Sequence, residues 1–182
     1  MRAFACLLIC LLAACSPGRN LPDLPSTPPG AYRLGAGDVI RLITFGEESL
    51  SGEFHVSDSG KIAIPLIGSM QAAGLSPDEL ASSVQDTLTR TNILRAPSVS
   101  AEVVTYRPIF VLGEVSKPGQ YPFQPGMTLV TAVAVAGGFT YRAIDDYASL
   151  VRTQDNRAIE AKATRNSFLQ PGDTITIYER KF

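Results

Sequence analysis

The side chains able to do chemistry are few and dispersed. Asp38 and Asp173 have the most regular setting: each follows a glycine and opens an alternating run, in Leu34-Gly-Ala-Gly-Asp38-Val-Ile-Arg-Leu42 and Leu169-Gln-Pro-Gly-Asp173-Thr-Ile-Thr-Ile177. Two carboxylates converging on one linkage would suit glycoside hydrolysis. An aspartate after a glycine at a strand start has a simpler use, bonding the backbone of its own turn, and the repeated setting favours that use. His55 is the only histidine and no cysteine follows Cys15, so no metal site is expected. No serine lies in a Gly-x-Ser-x-Gly elbow, and Lys117-Pro-Gly119 lacks the Gly-Lys-Ser/Thr ending of a phosphate loop. Asp145-Asp146 reads as a solvated loop. The inventory predicts no enzyme and no cofactor. One constellation suits a ligand: after Gly137-Gly138 come Phe139-Thr-Tyr141-Arg142. An aromatic face beside a guanidinium can hold a sugar ring with an acidic substituent, and the same pair is enriched where subunits meet. Tyr141 and Arg142 are therefore the candidate glycan or subunit contacts.

The elements that must position these groups are legible in part. In the first Gly-Asp run, Val39, Arg41 and Ile43 alternate with Ile40, Leu42 and Thr44, the period of a strand with one buried face. Phe54-His-Val56, the turn-forming Ser57-Asp-Ser-Gly60 and Lys61-Ile-Ala-Ile64 predict a hairpin. Ser76-Pro-Asp-Glu79 is a helix start, with Ser as N-cap, Pro in the first turn and Glu three residues after the cap. Leu80, Val84 and Leu88 at spacing four, beside Ala81, form its apolar stripe, and Ser98 to Tyr106 alternates as a further strand. Beyond it, Ile109 to Phe123 reads as a hairpin turning at Lys117-Pro-Gly119. Thr128 to Ala136, followed by Gly137-Gly138, reads as a short buried helix with a glycine cap. Ala148 to Arg152, Ala158 to Ala163 and Thr174 to Glu179 are strand candidates. Hairpin, helix, then strands is the order of a β-grasp domain.

The first fifteen residues carry Arg2, the apolar run Ala3 to Leu12, and Leu12-Ala-Ala-Cys15. That run is well short of the roughly 20 residues a membrane span requires, so it reads as the core of a secretory signal. Leu12 three positions before Cys15, with two alanines between, resembles the lipobox of bacterial lipoproteins. The resemblance implies cleavage before Cys15, acylation of that residue and, with Ser16 rather than Asp next to it, sorting to the outer membrane. Cys6, Cys10 and Cys15 are the only cysteines, so an exported fold would rely on ordinary cores without disulfides. Ser16 to Gly30 contains Pro17, Pro22, Pro25, Pro28 and Pro29 and reads as an extended tether. At roughly 3.1 Å per residue it would reach about 45 Å. Without Arg2 the 16 basic residues become 15, against 17 acidic, a formal charge of −2 that makes nucleic acid an unsuitable partner.

Taken in order, Tyr32-Arg-Leu-Gly-Ala-Gly-Asp38-Val-Ile-Arg-Leu, Val56 to Ile64 with Pro65-Leu-Ile-Gly68, and the Ser76 helix resemble the opening domain of the polysaccharide export family, the Wza-like outer-membrane auxiliary lipoproteins. Val111-Leu-Gly113-Glu-Val115, Pro118-Gly119-Gln-Tyr121, the Thr128 helix and Ala136-Gly-Gly138 resemble the soluble-ligand-binding β-grasp (SLBB) domain that follows it in that family. The resemblance implies a strand-rich α+β chain: signal over 1–15 ending at the lipidated Cys15, tether over 16–30, export α/β module over 31–105, and β-grasp domain over 106–182. It further implies a homo-oligomeric ring in the periplasm, an octamer in the best-known members, through which polysaccharide passes outward. The associated partner is an inner-membrane polysaccharide co-polymerase, often coupled to a tyrosine kinase. Those best-known members span the outer membrane with a C-terminal amphipathic helix. Here three residues follow Glu179, so the expectation is a separate outer-membrane β-barrel pore docked on the ring. The alternatives are a monomeric periplasmic lipoprotein that binds a soluble glycan, and, without convergent acids or bases to support it, a glycan-processing enzyme.

Overall fold

In the computed structural model the described residues are 17–24, 30–154 and 157–180. The signal, Cys15 and Ser16 lie outside them. Strand β1 (Val39–Thr44) shows the expected alternation, with Ile40, Leu42 and Thr44 buried and Arg41 and Ile43 exposed. It is the middle strand of an antiparallel sheet, between β2 (Gly52–His55) and β5 (Val99–Thr105). Helix α1 (Pro77–Arg90) packs on β5 and buries Leu80, Ala81, Val84 and Leu88. Its capping box is complete: Glu79 N–H donates to Ser76 Oγ at 3.2 Å, and Ser76 N–H donates to the Glu79 carboxylate at 2.8 Å. That backbone donor, with the Arg33 guanidinium paired to the same carboxylate, holds Glu79 below the usual carboxylate range.

The predicted hairpin across Ser57–Gly60 is corrected by the structure. The turn forms, with Gly60 N–H donating to Ser57 C=O at 2.8 Å, but the segments flanking it pair elsewhere. β2 runs beside β1, and β3 (Lys61–Ile64) forms its own hairpin with β4 (Gly68–Gln71) through Pro65-Leu-Ile. Val56 is committed to β1 because its N–H donates to Asp38 C=O and its C=O accepts from Gly37 N–H, both at 2.9 Å. Its backbone is therefore spent before the turn begins.

The second unit contains β6 (Ile109–Gly113), β7 (Gly119–Tyr121), α2 (Leu129–Val135), β8 (Tyr147–Gln154), β9 (Arg157–Thr164) and β10 (Thr174–Ile177). Its strand order is β7-β6-β10-β8-β9, with the first strand in sequence parallel to the last and every other pair antiparallel. That is the β-grasp arrangement, and α2 crosses its inner face over a core of Ile109, Val111, Leu129, Val133, Leu150, Ile175 and Ile177. The first turn of α2 is satisfied from outside the helix: Leu129 N–H donates to Ser167 C=O and Val130 N–H to Arg165 C=O, both at 3.0 Å. The buried face of α2 is narrower than its apolar sequence suggests, since Val135 is 52% exposed.

The described part of the segment expected as an extended tether is docked on the second unit. Lys162 N–H donates to Pro22 C=O at 2.7 Å, Leu24 N–H donates to Lys162 C=O at 2.8 Å, and Asp23 pairs with the Lys162 ammonium at 2.9 Å. Leu24 packs against the second core. The cause lies in the sheet: β9 is an edge strand with unpaired backbone groups, and prolines spaced as here still leave a C=O and an N–H to meet them.

Candidate functional site

The two units meet at a polar joint built from the first Gly-Asp turn. Gly37 there adopts a left-handed φ of 93°, which lets the chain reverse and aims the Asp38 carboxylate back at its own turn. Asp38 is fully buried and takes donors from both units' ends: Gly35 N–H at 2.8 Å, the Tyr32 hydroxyl at 2.5 Å and Arg107 N–H at 3.0 Å. Arg107 Nη2 donates to the Tyr32 oxygen at 3.2 Å, while its Nε stands 3.4 Å from Asp38, near enough for attraction but without hydrogen-bond geometry. Burial, then the bond to Asp38 and its charge, push the Tyr32 phenol well above the usual range. Tyr106 carries the joint across by edge-to-face contacts, with Tyr32 at 5.0 Å and Phe123 at 5.6 Å between ring centroids. Beside it lies a cavity of about 330 Å³ lined by Tyr32, Arg33, Arg107, Phe123, Leu169 and Gln170, among others. Its chemistry, two aromatic faces with guanidinium, phenol and amide groups, suits a small polar ligand with an apolar face.

The second Gly-Asp turn repeats the first. Gly172 has φ 89°, Asp173 is fully buried, and Gln170 N–H, three residues back, donates to it at 2.7 Å as Gly35 does to Asp38. Its counter-charge comes from β8, where Arg152 donates through Nε at 2.8 Å and Nη2 at 2.7 Å. Both acids are sealed from solvent and saturated by donors, so they do not form a catalytic pair.

The remaining candidates are dispersed. His55 is exposed on β2, and among the described residues no group of three or more His, Cys, Asp and Glu side chains lies close enough to hold a metal ion. Tyr141 is 87% exposed, in keeping with the exposed loop expected of it, while the Arg142 guanidinium is paired with Glu179. On the open face of the first sheet Arg41 bridges Glu53 and Glu102, at 2.8 Å each. Sequence reasoning did not single out Arg107, Tyr32 or Phe123. The available signal was Tyr106-Arg-Pro108, where the proline forces an extended residue between the units and so holds Arg107 against the turn it serves.

The chain matches the family model for "polysaccharide biosynthesis/export protein" over residues 26–104 and that for the SLBB domain over 108–159. It is 33% identical over 118 residues to the exopolysaccharide production protein ExoF of Rhizobium meliloti, covering 59% of this chain and 28% of that protein. It is also 29% identical over 134 residues to the EPS I polysaccharide export outer membrane protein EpsA of Ralstonia nicotianae, covering 59% of this chain and 34% of that one. The chain thus spans about a third of the length of the curated relatives it matches. No described helix is long and apolar enough to cross a membrane.

Proposed function

The chain belongs to the polysaccharide export family, with an export domain followed by one SLBB domain, and on that premise we propose that it is a lipid-anchored periplasmic ring component of an exopolysaccharide or capsular polysaccharide export channel. The role is non-enzymatic, as the matched families are. The observation that carries the reading is the order of the two domains, export then SLBB, over 26–104 and 108–159. Identical subunits would close around an aqueous lumen, and the joint at Asp38 and Arg107 would make each subunit a stiff stave. A conduit must bind sugar weakly, since tight sites would stall the polymer. Synthesis of the polymer and an inner-membrane co-polymerase, with or without its tyrosine kinase, would supply the driving force. A separate outer-membrane β-barrel would supply the pore. Cys15 is the proposed site of acylation.

The test is the mass of the purified mature protein at micromolar concentration, together with export in a deletion strain complemented by it. A closed oligomer and restored polymer outside the cell are expected. A monomer that restores no export would overturn the conduit. The cavity of about 330 Å³ at the joint favours one second reading, a monomeric glycan-binding lipoprotein, because that volume lies at the small end of ligand pockets. Saturable, tight binding of an oligosaccharide to a monomer in calorimetry would select it.

A further inference from the structure

One end of the β-grasp domain gathers groups that neither core uses, and the N-terminal segment runs onto that end. The Tyr147 hydroxyl donates to Pro17 C=O at 3.0 Å. Gly18 lies flush on the neighbouring Tyr178 ring: its φ is 74°, and a Cβ added there would stand 2.3 Å from Tyr178 Cε2. The rings of Tyr147 and Tyr178 are 6.3 Å apart. The loop carrying Tyr141 is stitched to the same place, since Ile144 N–H donates to Tyr178 C=O at 2.8 Å and Arg180 N–H to Arg142 C=O at 2.7 Å. With Pro22 and Leu24 bonded along β9, the backbone from residue 17 to 24 is a strap on this domain. Cys15 precedes Pro17 by two residues, and two residues span at most about 7 Å. A lipid on Cys15 therefore cannot lie far from Tyr147, Tyr178 and the Tyr141 loop.

We propose that this end of the β-grasp domain, with Tyr141 as its most exposed aromatic side chain, lies against the headgroup layer of the membrane that holds acylated Cys15. The inference rests on the reading that Cys15 is the anchor. Tyrosine is suited to that layer, where an apolar ring and a polar hydroxyl are both accommodated. Most of the charge nearby is paired: Arg142 faces Glu179, and Arg165 and Arg180 share Asp145 at 3.6 Å, which leaves three guanidinium groups against two carboxylates. The contact is therefore chiefly aromatic and steric in origin, with a weaker dependence on anionic lipid and salt than one made by a polybasic patch.

The chain has no cysteine after Cys15, so single-cysteine labelling of the folded part is clean. Tyr141→Cys and Asp58→Cys, the latter an exposed turn residue of the export domain, are each made in the full chain, matured in cells, labelled with a small fluorophore and reconstituted in phosphatidylethanolamine vesicles containing headgroup-spin-labelled lipid. The label at 141 should be quenched several-fold more strongly than that at 58, and adding Gly18→Val, which lifts the strap from Tyr178, should reduce that difference. Equal quenching at both sites in a protein shown by mass spectrometry to be acylated overturns the inference and leaves the anchor standing. An unmodified N-terminus overturns both. Shielding of the 141 label by free polysaccharide, or by oligomer formation in detergent without vesicles, overturns the inference in favour of a glycan or a subunit contact.

Discussion

Arg107 and Asp38, 69 positions apart in sequence, form the joint between the two domains: the Arg107 backbone N–H donates to Asp38 Oδ1 at 3.0 Å, and its side-chain Nε stands 3.4 Å from the same oxygen. One carboxylate thus holds its own turn through Gly35, the entering chain through Tyr32, and the start of the second domain through Arg107. Because Asp38 is fully buried while the Arg107 side chain keeps 31% of its exposure, the acid is the costlier member of the pair to leave without a partner.

Replacing Asp38 with Ala should cost about 3 to 5 kcal/mol, the range for breaking a buried charge pair by removing one member. Asp173→Ala, which strands Arg152, should fall in the same range, since its donors are as many and its burial as complete. Urea unfolding of both variants checks this. Near-wild-type midpoints would show that the carboxylates do not organise the two turns.

Tyr32 gives a signed dependence on pH. Its pKa in the fold is raised above the ordinary value of 10.0, chiefly by burial and then by the bond to Asp38, so folding favours the protonated phenol. Its contribution is fully present below that ordinary value and is lost as pH rises through the folded value. Thermal melts on the alkaline side should therefore show a slope that Tyr32→Phe reduces. A slope unchanged in that variant would place the alkaline sensitivity elsewhere.

The first helix is a purely local test. Ser76→Ala removes an N-cap acceptor and should cost about 0.5 to 2 kcal/mol, while Leu80→Ala and Leu88→Ala should each cost about 2 to 5 kcal/mol. The order follows from the structure, where both leucines are fully buried and the cap lies at the surface. Calorimetric melting decides it, and a cap variant less stable than either leucine variant would reverse the assignment.

What the sequence showed and what it hid divide along the same line. Ser76-Pro-Asp-Glu79, the alternation of β1 and the Gly-Asp turns depend on neighbours within four residues, so composition and spacing determine them. The choice of β4 over β2 as the partner of β3 depends on Val56 having spent its backbone on Gly37 and Asp38, which no local pattern displays. The docking of Pro22 and Leu24 depends on which strand ends up at the sheet edge, a property of the whole domain. The joint was hidden for a related reason: Asp38 was readable as a turn residue, but its counter-ion, Arg107, arrives from the start of the second domain. Tyr141 was readable as exposed, whereas the pairing of Arg142 with Glu179 required the end of β10 to be placed.

Cys15→Ser removes the thiol that acylation requires. The precursor should then escape cleavage at that site, keep its apolar signal run and yield no acylated mature chain. The mature N-terminus, read by mass spectrometry, is the measurement. A wild-type chain that begins elsewhere without a lipid would remove the anchor from the proposed function.

The open face of the export domain supplies the last test, because it bears directly on the proposed ring. Ile43 is 50% exposed on the outer face of β1 and Phe45, just past its end, is 84% exposed. The same face carries the Glu53, Arg41 and Glu102 trio. Exposed single apolar residues are ordinary, but two together beside a fixed charge pattern are suited to contact with an identical subunit. Phe45→Glu should leave the melting of the isolated subunit within about 0.5 kcal/mol, as surface substitutions do. It should nonetheless shift the solution mass from oligomer towards monomer and lower export in the complemented strain. If the mass is unchanged while the subunit melts normally, the proposed ring would have to close through another face; if the subunit itself unfolds, Phe45 serves the fold of the export domain and not a subunit contact.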